Sequence, residues 1–204
     1  AAVQSPALVG ATIAQALRIG EAGARPIASS LIAQLRRRNL LLLLDNFEHL
    51  LTAAPLVTDL LATCPELTVL ATSRTPLMLA GERVVAVTPL APPEIPHGGQ
   101  QSAVTAVERS DAGQLFLERA MAVRDGFRLT ERDALAVGEI CRRVVGLPLA
   151  IELAAARCMV LSPSALLTHM APGLPLLTGG RRDAPPRMRS LRQAIAWSYD
   201  LLTP

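Results

Sequence analysis

The fold is decided by the stretch Leu40-Leu41-Leu42-Leu43-Leu44-Asp45-Asn46-Phe47-Glu48-His49. Five consecutive leucines that end at an acid predict a short strand, buried on both faces of a parallel sheet. Asp45 would then lie at the carboxyl end of that strand, which is the edge where open α/β sheets hold their ligands. Because leucine is also a good helix former, a buried helix segment followed by a capping aspartate is the alternative interpretation.

A second apolar run favours the strand interpretation. Leu67–Ala71 ends in Thr72-Ser73-Arg74, and a helical pattern with Pro55 near its start separates the two runs. Strand, helix and strand within about thirty residues predict a βαβ unit with a right-handed crossover. Such a unit places Asp45 and Arg74 at the same edge of the sheet, as an acid for Mg²⁺ and an arginine for a terminal phosphate. Taken alone, Arg74 fits an ion pair at the surface equally well.

Composition limits the class of protein. Half of the 204 residues are apolar and 2% are aromatic, so the core has to be built from aliphatic side chains. A net charge of +3 is a weak argument for a nucleic-acid partner. The three cysteines are widely spaced, as in a reduced cytoplasmic protein, and no apolar run reaches the ~18 residues that a membrane span needs.

The basic residues are all arginine, and the chain has no lysine. A phosphate-binding loop reads G-x-x-x-x-G-K-[ST], so this sequence contains none. We therefore expect the first strand and its loop to precede Ala1, and we expect the chain alone to be inactive towards ATP. The residues before Leu40 read instead as two helices, Pro6–Arg18 and Pro26–Arg38.

Beyond the second run the pattern becomes helical. Glu82–Leu90 predicts one more short strand, and prolines and glycines then break the chain near residues 91–108. Asp111 and Thr130 are the candidate caps of the next two helices. Further helices are expected over Pro148–Met159, from Pro163 to Met170, and, after a loop over Ala171–Pro186, from Arg187 to about Leu202.

Four segments together resemble the NB-ARC region of STAND-class P-loop NTPases, in the form found in large bacterial ATP-binding transcriptional regulators of the LuxR or antibiotic-regulatory type. They are Leu41–His49, Ala71–Arg74, Gly146–Arg157 and Leu191–Leu202. The resemblance implies an α/β fold followed by an all-α part. Residues 1–91 would be the C-terminal part of a parallel-sheet NTPase domain, residues 92–170 a helical ARC subdomain, and residues 171–204 a linker and the first helix of a winged helix.

The resemblance also implies roles for the residues near the sheet. Asp45 would be the Walker B acid that holds Mg²⁺ through water. Asn46 stands where many relatives have a second acid, so the full-length protein would be at most a slow ATPase. Arg74 would sense the γ-phosphate of ATP. Glu48 is a candidate catalytic base, and the alternative is an acid in the first turn of a helix.

The helical part would supply the adenine contact. By the same resemblance, Pro148 would lie against adenine, Gly146 would allow a close turn, and Leu147 and Leu149 would complete the cofactor site. None of His49, His97 and His169 matches the family's nucleotide-contacting histidine.

Three functions follow as hypotheses. The first is a cytoplasmic ATP/ADP-dependent switch, closed with ADP and open with ATP, whose partners are other domains of its own chain and, when it assembles, further copies of itself. The second is a scaffold that binds no nucleotide. The third is a DNA-binding fragment that acts through Arg181–Arg192, for which a steep salt dependence of affinity would be diagnostic. In the first two hypotheses DNA is contacted only by domains outside these residues.

Overall fold

A computed structural model describes residues 3, 5–20, 26–95, 102–170 and 189–200, and for residues 197–200 it describes the backbone alone. The chain divides into two compact units, Ala1–Ala86 and Val87–Pro204. The predicted loop Ala171–Pro186 and the start of the predicted last helix at Arg187 lie outside the described residues. In the described part of the chain, no single helix is both long enough and apolar enough to cross a membrane.

The first unit contains a short parallel sheet and its helices. Strand β1, Leu40–Leu44, pairs in parallel with β2, Leu67–Ala71, in a register that runs from Leu40↔Leu67 to Leu44↔Ala71. The run of five leucines is therefore a strand and not a helix. The helices are α1, Val9–Ala16, α2, Ile27–Leu35, and the crossover helix α3, Ala54–Thr63, with one-turn 3₁₀ helices at Pro6–Leu8, Phe47–His49 and Leu51–Ala53.

One face of this sheet is buried and the other is not. Leu42 packs into a core with Leu31, Leu35 and Leu60 from α2 and α3. Leu41 and Leu43, which point to the opposite face, are each 60% exposed. The prediction that β1 is buried on both faces is therefore wrong for the described residues, in which the helices cover one side of the sheet.

The third predicted strand is also absent. Residues 82–90 have no strand structure, and Val84 and Val85 are 66% and 82% exposed. A strand exists only where a neighbour accepts and donates its backbone hydrogen bonds, and within the described residues this segment has no neighbouring strand. The backbone N–H of Leu90 donates instead to the carbonyl oxygen of Gly146, at 3.0 Å.

The second unit is helical over most of its described residues. Its helices are α4 (Ala103–Arg109), α5 (Asp111–Val123), α6 (Glu131–Arg143), α7 (Pro148–Ala156), α8 (Pro163–His169) and α9 (Leu191–Asp200), and a 3₁₀ helix at Arg157–Met159 extends α7. Phe116 of α5 and Ile151 of α7 are fully buried in its core. An ion pair between Arg119 Nη2 and Glu152 Oε1, at 3.0 Å, joins the same two helices at the surface.

Hydroxyl side chains cap several of these helices, and the caps of α5 and α6 test the sequence predictions. Thr130 caps α6 as predicted, since its Oγ1 accepts a hydrogen bond from the N–H of Asp133 at 3.2 Å. The predicted cap at Asp111 is wrong. Ser110 is the N-cap of α5, and its Oγ accepts from the N–H of Gly113 at 3.1 Å, which leaves Asp111 in the first turn.

Candidate functional site

The carboxyl ends of β1 and β2 form the candidate site in the first unit. The register pairs Leu44 with Ala71, so the residues that follow the strands, Asp45 and Thr72, come side by side. The N–H of Thr72 donates to the Leu44 carbonyl at 2.9 Å, which continues the pairing one step beyond the strands. The chain therefore leaves the sheet with two polar side chains held at one edge.

A hydrogen-bonded group of three residues fixes Asp45. The hydroxyl of Thr72 donates to Asp45 Oδ1 at 2.6 Å, and Thr72 Oγ1 accepts from the backbone N–H of Asn46 at 2.8 Å. Asn46 has a φ of 61°, in the left-handed region that asparagine tolerates better than most residues. The sequence analysis did not predict that Thr72 orients Asp45. The signal that could have shown it is the position of Thr72 directly after β2, in register with Asp45.

Arg74 and Glu48 form an ion pair at the same edge. Arg74 Nε donates to Glu48 Oε1 at 2.7 Å, and the two side chains are 36% and 10% exposed. Glu48 lies in the one-turn helix Phe47–His49, whose buried Phe47 donates its N–H to the carbonyl of Thr72 at 2.9 Å. The structure thus brings Asp45, Asn46, Glu48 and Arg74 together. It also shows Arg74 in an ion pair, which the sequence allowed as the alternative to phosphate binding.

His49 ties the turn to the N-terminal segment. Its Nε2 lies 2.7 Å from the carbonyl oxygen of Val3, and its Nδ1 lies 3.4 Å from Asn46 Nδ2. A neutral ring with the proton on Nε2 satisfies both contacts, since it donates to Val3 and accepts from Asn46. The imidazole therefore contacts both the side chain of the left-handed Asn46 and the N-terminal segment.

The Gly146–Leu149 turn belongs to the second unit. Gly146 has a φ of +66°, and its N–H donates to the carbonyl of Cys141 at 3.0 Å, as at the end of a helix. A Cβ at Gly146 would lie 2.1 Å from the carbonyl oxygen of Leu90. The glycine is therefore required by the close approach of the backbone at Leu90.

The residues that follow this glycine present an apolar surface. Leu147 is 45% exposed, Pro148 is exposed and opens α7, and Leu149 is half-buried. Proline fits here because the first turn of a helix does not use its N–H. The exposed Leu147 and Pro148 are available to a flat apolar group.

The cysteines of the second unit are poor nucleophiles. Burial raises the pKa of the Cys141 thiol to about 12 and that of Cys158 to about 11. The thiol rather than the nucleophilic thiolate is then favoured at neutral pH, as in buried structural cysteines.

The donors at the strand edge suit Mg²⁺ and not a zinc-type centre. The described residues contain no group of three or more His, Cys, Asp or Glu side chains that could hold a metal ion. Mg²⁺ keeps several waters and is commonly bound through one or two carboxylates together with phosphate oxygens. The exposed Asp45, oriented by Thr72, fits that mode of binding.

Fold and site together describe a parallel α/β unit with a charged strand edge, joined in sequence to a helical unit. The chain is 41% identical over all 204 residues to a "Putative HTH-type transcriptional regulator" of Mycobacterium tuberculosis, and the match has the same identity in Mycobacterium bovis. It is also 38% identical over 175 residues to an uncharacterized protein of M. tuberculosis.

These relatives are much longer than the chain. The match covers 21% of the regulators and 40% of the uncharacterized protein. No protein-family model matches the chain, and no solved structure matches it at a significant level.

Proposed function

We propose that this chain is a nucleotide-responsive switch module of a transcriptional regulator, which binds ATP or ADP with Mg²⁺ at the carboxyl edge of β1 and β2. The observation that carries the proposal is the arrangement of Asp45, Thr72 and Arg74 at the ends of two adjacent parallel strands. An acid and an arginine at such an edge are groups that nucleotide-binding α/β proteins use for the metal and the phosphates.

Each group would have a distinct task. Asp45, oriented by the Thr72 hydroxyl, would hold the hydrated Mg²⁺, which supplies positive charge to the phosphate oxygens. Arg74 would donate hydrogen bonds to the terminal phosphate. Asn46 is neutral, its backbone N–H donates to Thr72 and its side-chain amide contacts His49, so it offers no base to activate water, and hydrolysis would be slow.

The regulatory part of the proposal rests on the relatives. Two of them are named as HTH-type transcriptional regulators, and the chain corresponds to about a fifth of their length. DNA binding would then belong to other parts of the protein, and the contribution of this chain would be a nucleotide-dependent equilibrium between two states. Such coupling requires that ATP and ADP bind the two states with different affinity.

A scaffold without nucleotide is the second candidate. It is favoured by the ion pair between Arg74 and Glu48, because the arginine already has a carboxylate partner within the chain. In that case Asp45, Thr72 and Arg74 would only stabilise the ends of the two strands.

The experiment that separates these candidates is Asp45→Ala in the full-length protein. We expect the variant to weaken ATP binding in the presence of Mg²⁺ by about tenfold or more, which is about 1.4 kcal/mol, and to change Mg²⁺-free binding much less. The measurement is calorimetric titration with and without Mg²⁺. Asp59→Ala, on the exposed side of α3, is the matched control. Equal losses with and without the metal, or no binding by the parent protein, would favour the scaffold.

A further inference from the structure

Glu48 is placed to control what Arg74 can bind. Its carboxylate lies 2.7 Å from Arg74 Nε and is only 10% exposed, so the guanidinium is neutralised at short range. Near a protein surface two unit charges at this separation attract each other more strongly than they would in bulk water, because the effective dielectric constant is well below that of water. Any anion that approaches Arg74 therefore meets a negative charge already bound to it.

The backbone around Glu48 keeps that charge in place. Phe47 is 1% exposed, and its N–H is bonded to the carbonyl of Thr72, so the turn Phe47–His49 is anchored to the end of β2. The imidazole of His49 anchors the same turn to the carbonyl of Val3. If Arg74 changes partner, the carboxylate of Glu48 can rotate away from it but cannot leave the strand edge.

We propose that Glu48 is a specificity-determining counter-ion, which holds Arg74 in the absence of a terminal phosphate and has to release it when one binds. This inference rests on the proposed function, because it assigns the phosphate that competes with Glu48 to the γ-position of ATP. ADP, which has no group at that position, would leave the ion pair intact. The carboxylate lowers the affinity for ATP and so sets the ratio of ATP to ADP affinity, and it does not act as a catalytic base.

The test is Glu48→Gln in the full-length protein, with Mg·ATP and Mg·ADP as the two probes. Glutamine keeps the length of the side chain and an oxygen that accepts from Arg74 Nε, and it removes the charge. We expect ATP to bind three- to fivefold more tightly, which is about 0.7–1 kcal/mol, the upper part of the range for a partly exposed ion pair. ADP affinity should change by less than twofold.

Glu139→Gln is the matched control. On α6 of the second unit, Glu139 Oε1 accepts a hydrogen bond from Arg143 Nε at 2.9 Å. The atoms are the same as in the pair of Glu48 with Arg74, and the distance is nearly the same. This variant should leave the ATP to ADP ratio unchanged. Thermal melting of both variants without nucleotide checks that they remain folded.

The outcomes separate this inference from the proposed function. If Arg74→Ala removes the preference for ATP while Glu48→Gln leaves it unchanged or weakens ATP binding, the counter-ion proposal is overturned and the proposed function stands. In that case Glu48 positions Arg74 rather than competing for it. If Arg74→Ala has no effect on the ratio, the proposed function fails and this inference fails with it.

Discussion

Replacement of Gly146 by alanine tests the close approach that the fold requires in the second unit. Gly146 has a φ of +66°, and an added Cβ would lie 2.1 Å from the carbonyl oxygen of Leu90. Gly126 has the same φ of +66° and has no atom within 4 Å of the equivalent Cβ position. The two glycines therefore share the backbone strain and differ in the steric clash.

The magnitude follows from these two terms. Alanine in the left-handed region costs about 1–2 kcal/mol at either site. At Gly146 the clash also forces the segment at Leu90 away and breaks the hydrogen bond from the Leu90 N–H to the Gly146 carbonyl, which is worth about 0.5–1.5 kcal/mol. We expect Gly146→Ala to destabilise the second unit by about 1.5–3.5 kcal/mol and Gly126→Ala by about 1–2 kcal/mol.

Urea unfolding followed by far-UV circular dichroism measures both losses, and hydrogen exchange at the Leu90 amide reports on the local contact. In Gly146→Ala this amide should exchange faster than in the parent protein, even under conditions where the protein stays folded. Equal losses of stability in the two variants, with unchanged exchange at Leu90, would refute the reasoning.

Two further predictions concern titratable groups in the second unit. Because burial raises the pKa of Cys141 to about 12 and that of Cys158 to about 11, both thiols should resist iodoacetamide at pH 8 in the folded chain and react fully in urea, as followed by mass spectrometry. The hydrogen bond from Arg143 and the charges of Arg142 and Arg143 lower the pKa of Glu139. The ionised carboxylate therefore stabilises the fold above the ordinary carboxyl range, and this stabilisation is lost as the pH falls through the lowered pKa. Glu139→Gln should therefore lower the free energy of unfolding by at most about 0.5 kcal/mol at pH 7, since the ion pair is exposed. At pH 2 the substitution should leave the free energy of unfolding unchanged. A loss of the same size at both pH values would contradict this assignment.

The elements that sequence reasoning located are those with a local cause. The leucine run of β1 and the run of β2 are short, apolar and bounded by polar residues, and both are strands. Thr130 caps α6 because its hydroxyl reaches an N–H three residues away, and that spacing is visible in sequence. At the start of α5 two adjacent residues are both good caps, so composition alone did not decide between Ser110 and Asp111.

The errors have a non-local cause. Whether 82–90 forms a strand depends on a neighbouring strand, and whether Leu41 and Leu43 are buried depends on a second layer over the sheet, neither of which is encoded in those residues. The same holds for the site. Asp45 and Arg74 follow from the strand ends, whereas the pairing of Thr72 with Asp45 and of Glu48 with Arg74 spans more than twenty positions and depends on the register.

The measurement that tests the central claim most directly is the pair of dissociation constants for ATP and ADP in the full-length protein and in Arg74→Ala. If the arginine binds the terminal phosphate, the variant should lose about 1.5–3 kcal/mol of ATP binding and much less of ADP binding. Its stability without nucleotide should fall by no more than about 1 kcal/mol, because Arg74 lies at the surface and the ion pair is partly exposed. Equal losses for the two nucleotides, or a large fall in stability without nucleotide, would show that Arg74 supports the strand ends and does not read a nucleotide.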